Sequence, residues 1–171
     1  MVFVITGGVG AGKTSLLREV VARLRRRGFP LAGFLSKRVF RGDELRGYDL
    51  VDLATGKRTP WLRRGAEGNL VGPWAVVPEG LHAGKAIIIE SPPSVLLVVD
   101  EFGPAELGGR GFWPFLSPLL ADKGRTFLFV VRTACLPAFR KNFSSEDLDV
   151  FRVAASIGPD DVVRKILTHG R

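Results

Sequence analysis

The stretch Gly7-Gly8-Val9-Gly10-Ala11-Gly12-Lys13-Thr14 constrains this chain more than any other, because it fits the phosphate-cradling pattern G-x-x-x-x-G-K-[ST]. Glycines at this density let main-chain N–H groups converge on phosphate oxygens. The amino end of a following helix adds positive potential, a lysine neutralises the β- and γ-phosphates, and a threonine hydroxyl can face Mg²⁺. Such a loop works only between a buried strand and a helix. The flanks supply both: Val2-Phe3-Val4-Ile5 is β-branched and aromatic, while Leu16, Leu17, Val20, Val21 and Leu24 recur at helical spacing. The nucleotide-binding candidates are therefore Gly7, Gly8, Val9, Gly10, Ala11, Gly12, Lys13, Thr14 and Ser15.

The 171 residues suit a single domain, 1–171, with a real core. No apolar run approaches the length needed to span a bilayer, and the opening run is too short for a secretory signal, so a cytoplasmic chain without membrane attachment is expected. Cys135 is the sole cysteine and reads as a small core residue. The net charge of +8 invites a nucleic-acid reading. That reading is not favoured, because Arg23, Arg25, Arg26 and Arg27 crowd the end of the first helix, where cations suit the negative end of the helix dipole.

In chain order, the pattern predicts a helix from Gly12 to Arg27 stopped by Gly28, then a strand over 31–35. A turn at 41–44 leads to a strand over 47–53, and a turn at 54–57 to a strand over 58–62, forming a small antiparallel meander. The polar segment 63–72 is expected to be a mobile loop. A strand over 74–77, a helix over 80–90, a fully buried strand over 95–99, a helix over 112–123, strands over 127–131 and 150–154, and a helix over 160–167 complete the chain. Alternating strands and helices argue a doubly wound, mostly parallel α/β sheet with an antiparallel extension.

A carboxylate at the carboxyl end of a buried strand is the usual partner of a phosphate loop. Asp100 fills that place and, with Thr14, forms the expected Mg²⁺ site. Glu101 follows and would point elsewhere, placed to take a proton from a water attacking the γ-phosphate. Phosphoryl transfer also needs positive charge at the departing phosphate. Arg132, after strand 127–131, is the first choice and Arg110, flanked by glycines, the second; a surface salt bridge accounts for either equally well. Glu106 reads either as orienting Glu101 or as a helix-start carboxylate, the latter being favoured. Trp61, Trp74, Phe34 and Tyr48 could stack on a base, but core packing explains them better.

At these residues the chain resembles the thermophile-type nucleoside-triphosphatase family, relatives of the human cancer-related nucleoside triphosphatase. The likeness runs through the loop Ile5 to Thr14, Ala32-Gly33-Phe34, Arg46 to Leu50, Thr55-Gly56, Val99 to Leu107 and Val130-Val131-Arg132. Ser36-Lys37-Arg38 departs from it, since the family usually carries an acid before its arginine there. The resemblance implies a RecA-like P-loop fold and Mg²⁺-dependent hydrolysis of ATP, GTP and other nucleoside triphosphates with loose base preference. It puts Lys13 and Thr14 on phosphate and metal positions, Asp100 on the metal position and Glu101 on the catalytic base. A monomer is expected. Two other readings stay open: a kinase of a nucleoside or small metabolite, with Arg63-Arg64 as lid residues, and a nucleotide-gated protein that binds RNA or a partner.

Overall fold

A computed structural model describes residues 1–65, 70–153 and 157–169. The strand-loop-helix unit begins the chain as expected: β1 (Val2–Gly7) leads through the glycine loop into α1 (Lys13–Arg26). Helix α1 ends where Gly28 N–H donates to the Arg25 carbonyl at 2.9 Å and Phe29 N–H to the Leu24 carbonyl at 3.0 Å, the bonding that closes a helix on a glycine. Its basic end is partly tied down, since Arg23 pairs with Asp160 at 2.5 Å and Arg25 donates to the Leu53 carbonyl.

Among the described residues, nine strands form one sheet. After β1 come β2 (Leu31–Arg41), β3 (Glu44–Asp52), β4 (Arg58–Arg64), β5 (Leu70–Val71), β6 (Trp74–Val76), β7 (Leu96–Phe102), β8 (Thr126–Arg132) and β9 (Leu148–Arg152), in the order β5-β6-β4-β3-β2-β7-β8-β1-β9. The five strands β2, β7, β8, β1 and β9 run parallel, and β3, β4, β6 and β5 add an antiparallel extension to β2. The expected mostly parallel, doubly wound sheet with an antiparallel annex is the observed one. Helix α1 and α6 (Pro159–His169) cover one face through Phe3, Ile5, Leu17, Val20, Val98 and Val163. The other face packs Val4, Phe34, Val99, Phe102 and Phe129 against α2 (Pro78–Glu90), α4 (Trp113–Leu120) and α5 (Leu136–Arg140).

Several bounds move, each for a local reason. Strand β2 continues to Arg41 because its second half pairs antiparallel with β3, where exposed Lys37, Arg38 and Arg41 are at home. Helix α2 starts at Pro78, a residue suited to the first helical turn, where its missing N–H costs nothing. Helix α4 stops at Leu120, with Pro118 inside it removing one helical hydrogen bond. The short helices α3 (Pro104–Leu107) and α5 were not legible as periodic runs. The expected strand to 154 ends at Arg152, and position 154 lies outside the described residues. So do positions 66–69 of the segment expected to be a mobile loop; of the rest, Arg63 and Arg64 finish β4 and Leu70-Val71 form β5.

Candidate functional site

The site gathers at the carboxyl ends of the parallel strands, where β8 lies between the phosphate-loop strand β1 and the acidic strand β7. Gly7 ends β1, and residues 8–12 arch over to α1 with Val9 94% exposed. Lys13 and Thr14 sit half-buried in the first turn of α1, and Ser15 is exposed beside them. The Lys13 ammonium donates to the Gly8 carbonyl at 2.7 Å, so it already lies across the mouth of the loop.

Asp100 is 2% exposed and held from two sides. The Thr14 hydroxyl donates to Oδ1 at 3.4 Å, and the Ser36 N–H donates to Oδ2 at 2.9 Å. The Ser36 hydroxyl adds a bond to the Asp100 main-chain carbonyl at 3.3 Å. Burial pushes the Asp100 carboxyl up to about 7, with the Ser36 N–H opposing and the Glu101 charge adding to the shift. A carboxylate and a hydroxyl within reach of one another are hard oxygen donors and match what Mg²⁺ takes from a protein that leaves its other positions to water and phosphate. In the sequence Ser36 stands out only within a departure from the family pattern, which gives it no role. No motif marks it, and only the pairing of β2 with β7, Phe34 beside Val99, brings it over Asp100.

Strict alternation along β7 would put Phe102 on the same face as Asp100. It lies instead in the opposite core with Val99, because the β7–β8 register slips between Val99↔Phe129 and Phe102↔Val131. Two residues of β7, Asp100 and Glu101, therefore oppose one of β8: a bulge. Glu101 absorbs it with φ 76°, the only positive φ at a non-glycine among the described residues. Left-handed backbone costs a side-chain-bearing residue about 1–2 kcal/mol, so the strand spends stability to turn this carboxylate away from its neighbour. The expected divergence of Asp100 and Glu101 thus has a backbone cause. Glu101→Gly should accordingly unfold at a higher denaturant midpoint than Glu101→Ala, by about 1 kcal/mol, since both lose the carboxylate and only glycine escapes the strain. Parallel urea titrations of the two variants measure it.

Glu101 Oε1 accepts from Arg132 Nε at 2.7 Å. Arg132 ends β8 in register with Gly7, so it stands between the phosphate loop and the acidic strand. Arg110 shares a cleft with Asp100, Glu101 and Arg132. Both candidate arginines are thus brought to the carboxylates, and Arg132 is the one engaged with Glu101. Glu106 is 7% exposed, and its carboxylate serves main-chain groups, accepting from Gly103 N–H at 3.0 Å across the first turn of α3. That is the helix-start role. Burial pushes its carboxyl up, against the opposing Gly103 bond. Arg63 is not available as a lid residue, for it donates to Asp49 at 2.6 Å and to the Tyr48 carbonyl at 2.9 Å. Phe34 and Trp61 are core residues that pack on Phe112, with ring centroids 5.0 and 4.5 Å away, whereas Tyr48 and Trp74 meet edge to face at the cleft wall.

Comparison with known proteins follows the same outline. The chain is 29% identical over 168 residues to the nucleoside-triphosphatase THEP1 of Methanopyrus kandleri, covering 97% of this chain and 93% of that one. It is 32% identical over 148 residues to the nucleoside-triphosphatase THEP1 of Archaeoglobus fulgidus, covering 85% and 87%. Among solved structures it is similar to that of a human cancer-related nucleoside triphosphatase, with a TM-score of 0.74 at 25% identity over 97% of this chain and 95% of that one. The model of the NTPase family matches residues 2–167, so this chain belongs to the NTPase family.

Proposed function

We infer that the chain hydrolyses nucleoside 5′-triphosphates to the diphosphate and inorganic phosphate, with Mg²⁺ as cofactor and loose base preference. The observation that carries it is the bulge in β7, which gives one strand end two carboxylates with separate tasks: Asp100 beside Thr14, and Glu101 turned away toward Arg132. The relatives' names, nucleoside-triphosphatase THEP1, agree with action on a nucleoside triphosphate.

In this reading the loop N–H groups and Lys13 hold the β- and γ-phosphates. Thr14 and Asp100 would hold Mg²⁺, and Ser36 fixes the orientation of the Asp100 carboxylate. When bound, the ion supplies positive charge to the β- and γ-oxygens. Glu101 accepts the proton of the attacking water. Arg132 answers the growing charge on the γ-phosphate, and its exchange of Glu101 for phosphate frees the base as substrate arrives. The grip is on phosphates, and any aromatic contact to a base would be shared by purines, so base selection is weak. The reading takes the chain as a monomer and 1–171 as a single catalytic domain. No helix among the described residues is long and apolar enough to cross a membrane.

Phosphate release from ATP, GTP, CTP and UTP with Mg²⁺ tests the reading. Several of the four should be turned over, and Lys13→Ala should weaken nucleotide binding by about tenfold or more, as loss of a charge-assisted phosphate contact demands. Turnover that persists undiminished in Lys13→Ala would exclude the loop as the site. Removing Mg²⁺ with a chelator should stop release, and release that continues without the ion would remove it as cofactor.

A further inference from the structure

The cleft beside Glu101 is larger than hydrolysis requires. Its volume is about 180 Å³, against roughly 30 Å³ for one water in the liquid and about 150 Å³ for a cavity that takes a benzene ring. None of the phosphate-loop residues Gly7–Ser15 lines it. It lies over the carboxyl end of β7 and the antiparallel extension, bounded by Tyr48, Trp61, Trp74, Arg110, Arg132 and Glu101. A triphosphate held by the loop after β1 would meet this cleft at Glu101 and Arg132, which line it. An in-line nucleophile enters opposite the leaving diphosphate, and Glu101, the base placed for it, lines this cleft.

Its walls select an occupant. Tyr48 and Trp74 meet edge to face at 5.3 Å, and Trp61 stacks on Phe112 behind, so the wall offers aromatic edges and faces against which an aromatic ring can pack. Arg110 is exposed at the cleft and has no carboxylate partner among the described residues, unlike Arg132. Its main chain is anchored, with Arg110 N–H donating to the Ala105 carbonyl at 2.9 Å, so the guanidinium projects from a fixed base. A guanidinium without a carboxylate partner in a cleft that also has aromatic walls suits an anionic group on an aromatic molecule.

We propose that this cleft is an acceptor subsite, in which a one-ring aromatic alcohol carrying a carboxylate or phosphate takes the γ-phosphoryl group in place of water. The proposal rests on nucleoside triphosphate bound at the phosphate loop as described above. In the step, the acceptor oxygen bonds to the γ-phosphorus as the bond from that phosphorus to the β–γ bridging oxygen breaks. The nucleoside diphosphate leaves with that electron pair, the hydroxyl proton passes to Glu101, and the product is a phosphate monoester. It is the kinase alternative left open by the sequence, with Arg110 in place of Arg63-Arg64 as the recognising cation.

The full-length chain is titrated with 4-(hydroxymethyl)benzoate and, as a control lacking the hydroxyl, 4-methylbenzoate, followed by tryptophan fluorescence without nucleotide. Both should saturate in the millimolar range, and Arg110→Ala should weaken both by about tenfold. With ATP and Mg²⁺, phosphorus NMR should then show a phosphate monoester from the first compound only. Failure of both probes to saturate overturns the proposal, as does binding unaffected by Arg110→Ala. Saturable binding with inorganic phosphate as the sole product overturns the acceptor role and leaves hydrolysis intact. Monoester formed by a chain that releases no phosphate from ATP alone would support the subsite while removing the hydrolase reading. A chain that forms neither product loses both.

Discussion

Glu101→Gln is expected to lower the rate of phosphate release by about 10² to 10⁴-fold, the usual contribution of a positioned general base, while nucleotide affinity stays near that of the unaltered chain. The amide keeps the shape of the side chain and an oxygen that can still accept from Arg132 Nε, the bond seen at 2.7 Å. It cannot take a proton from water. Because Asp100 rather than Glu101 contacts Thr14, the phosphate and metal contacts should survive the change. The measurement pairs turnover with binding of a fluorescent nucleotide. A fall in rate with binding retained assigns the base to Glu101. A fall of less than about tenfold would mean that water is activated without a side-chain base, leaving catalysis to charge stabilisation alone. Loss of binding together with rate would mean that Glu101 belongs to the grip on the nucleotide.

Gly33→Ala is expected to abolish cooperative folding, although position 33 lies outside the phosphate loop. Gly33 lies in β2 beside Val98 of β7, at φ 116°, and a Cβ built there would come within 1.9 Å of the Val98 carbonyl oxygen and 2.7 Å of Val98 N. Those atoms are backbone in the middle of the nine-stranded sheet and have no rotamer to escape into. Either β2 separates from β7 or the carbonyl turns out of its ladder. The first loses the pairing that carries Ser36 to Asp100, and the second strands buried polar groups, so the penalty exceeds the few kcal/mol of an ordinary core substitution. Thermal unfolding followed by circular dichroism checks it, with Gly28→Ala as the comparison. Gly28 also has positive φ, at 67°, but a Cβ there meets nothing within 4 Å, so its cost is the backbone strain alone, about 1–2 kcal/mol. A Gly33→Ala protein as stable as Gly28→Ala would show that β2 and β7 can part without unravelling the sheet.

Where periodicity and chemistry repeat in adjacent residues, the sequence was a sufficient guide. Val2 to Ile5, the glycine loop and the apolar stripe of α1 define one another locally. The apolar run before Asp100 states that its strand is buried on both faces, as Leu96 to Val99 are at 1% exposure or less. These features depend on contacts within a few residues, or on the simple requirement that apolar surface leave water. From them followed the α/β sheet, its antiparallel annex and the side of the sheet that holds Lys13, Thr14, Asp100, Glu101 and Arg132.

Everything that depends on register between distant strands was decided by tertiary structure. Whether Glu101 faces its neighbour's way or another is set by one extra residue in β7 against β8, a slip between segments about thirty positions apart. That Ser36 holds Asp100, that Arg132 holds Glu101, and that Arg63 is taken by Asp49 follow from which strands lie side by side. Strand pairing is made of main-chain hydrogen bonds that any residue but proline can supply, so it leaves little trace in side-chain type. The register is chosen instead by the joint packing of two cores on opposite faces of the sheet. A chain read in order therefore names the reacting groups, and the folded sheet decides which of them meet.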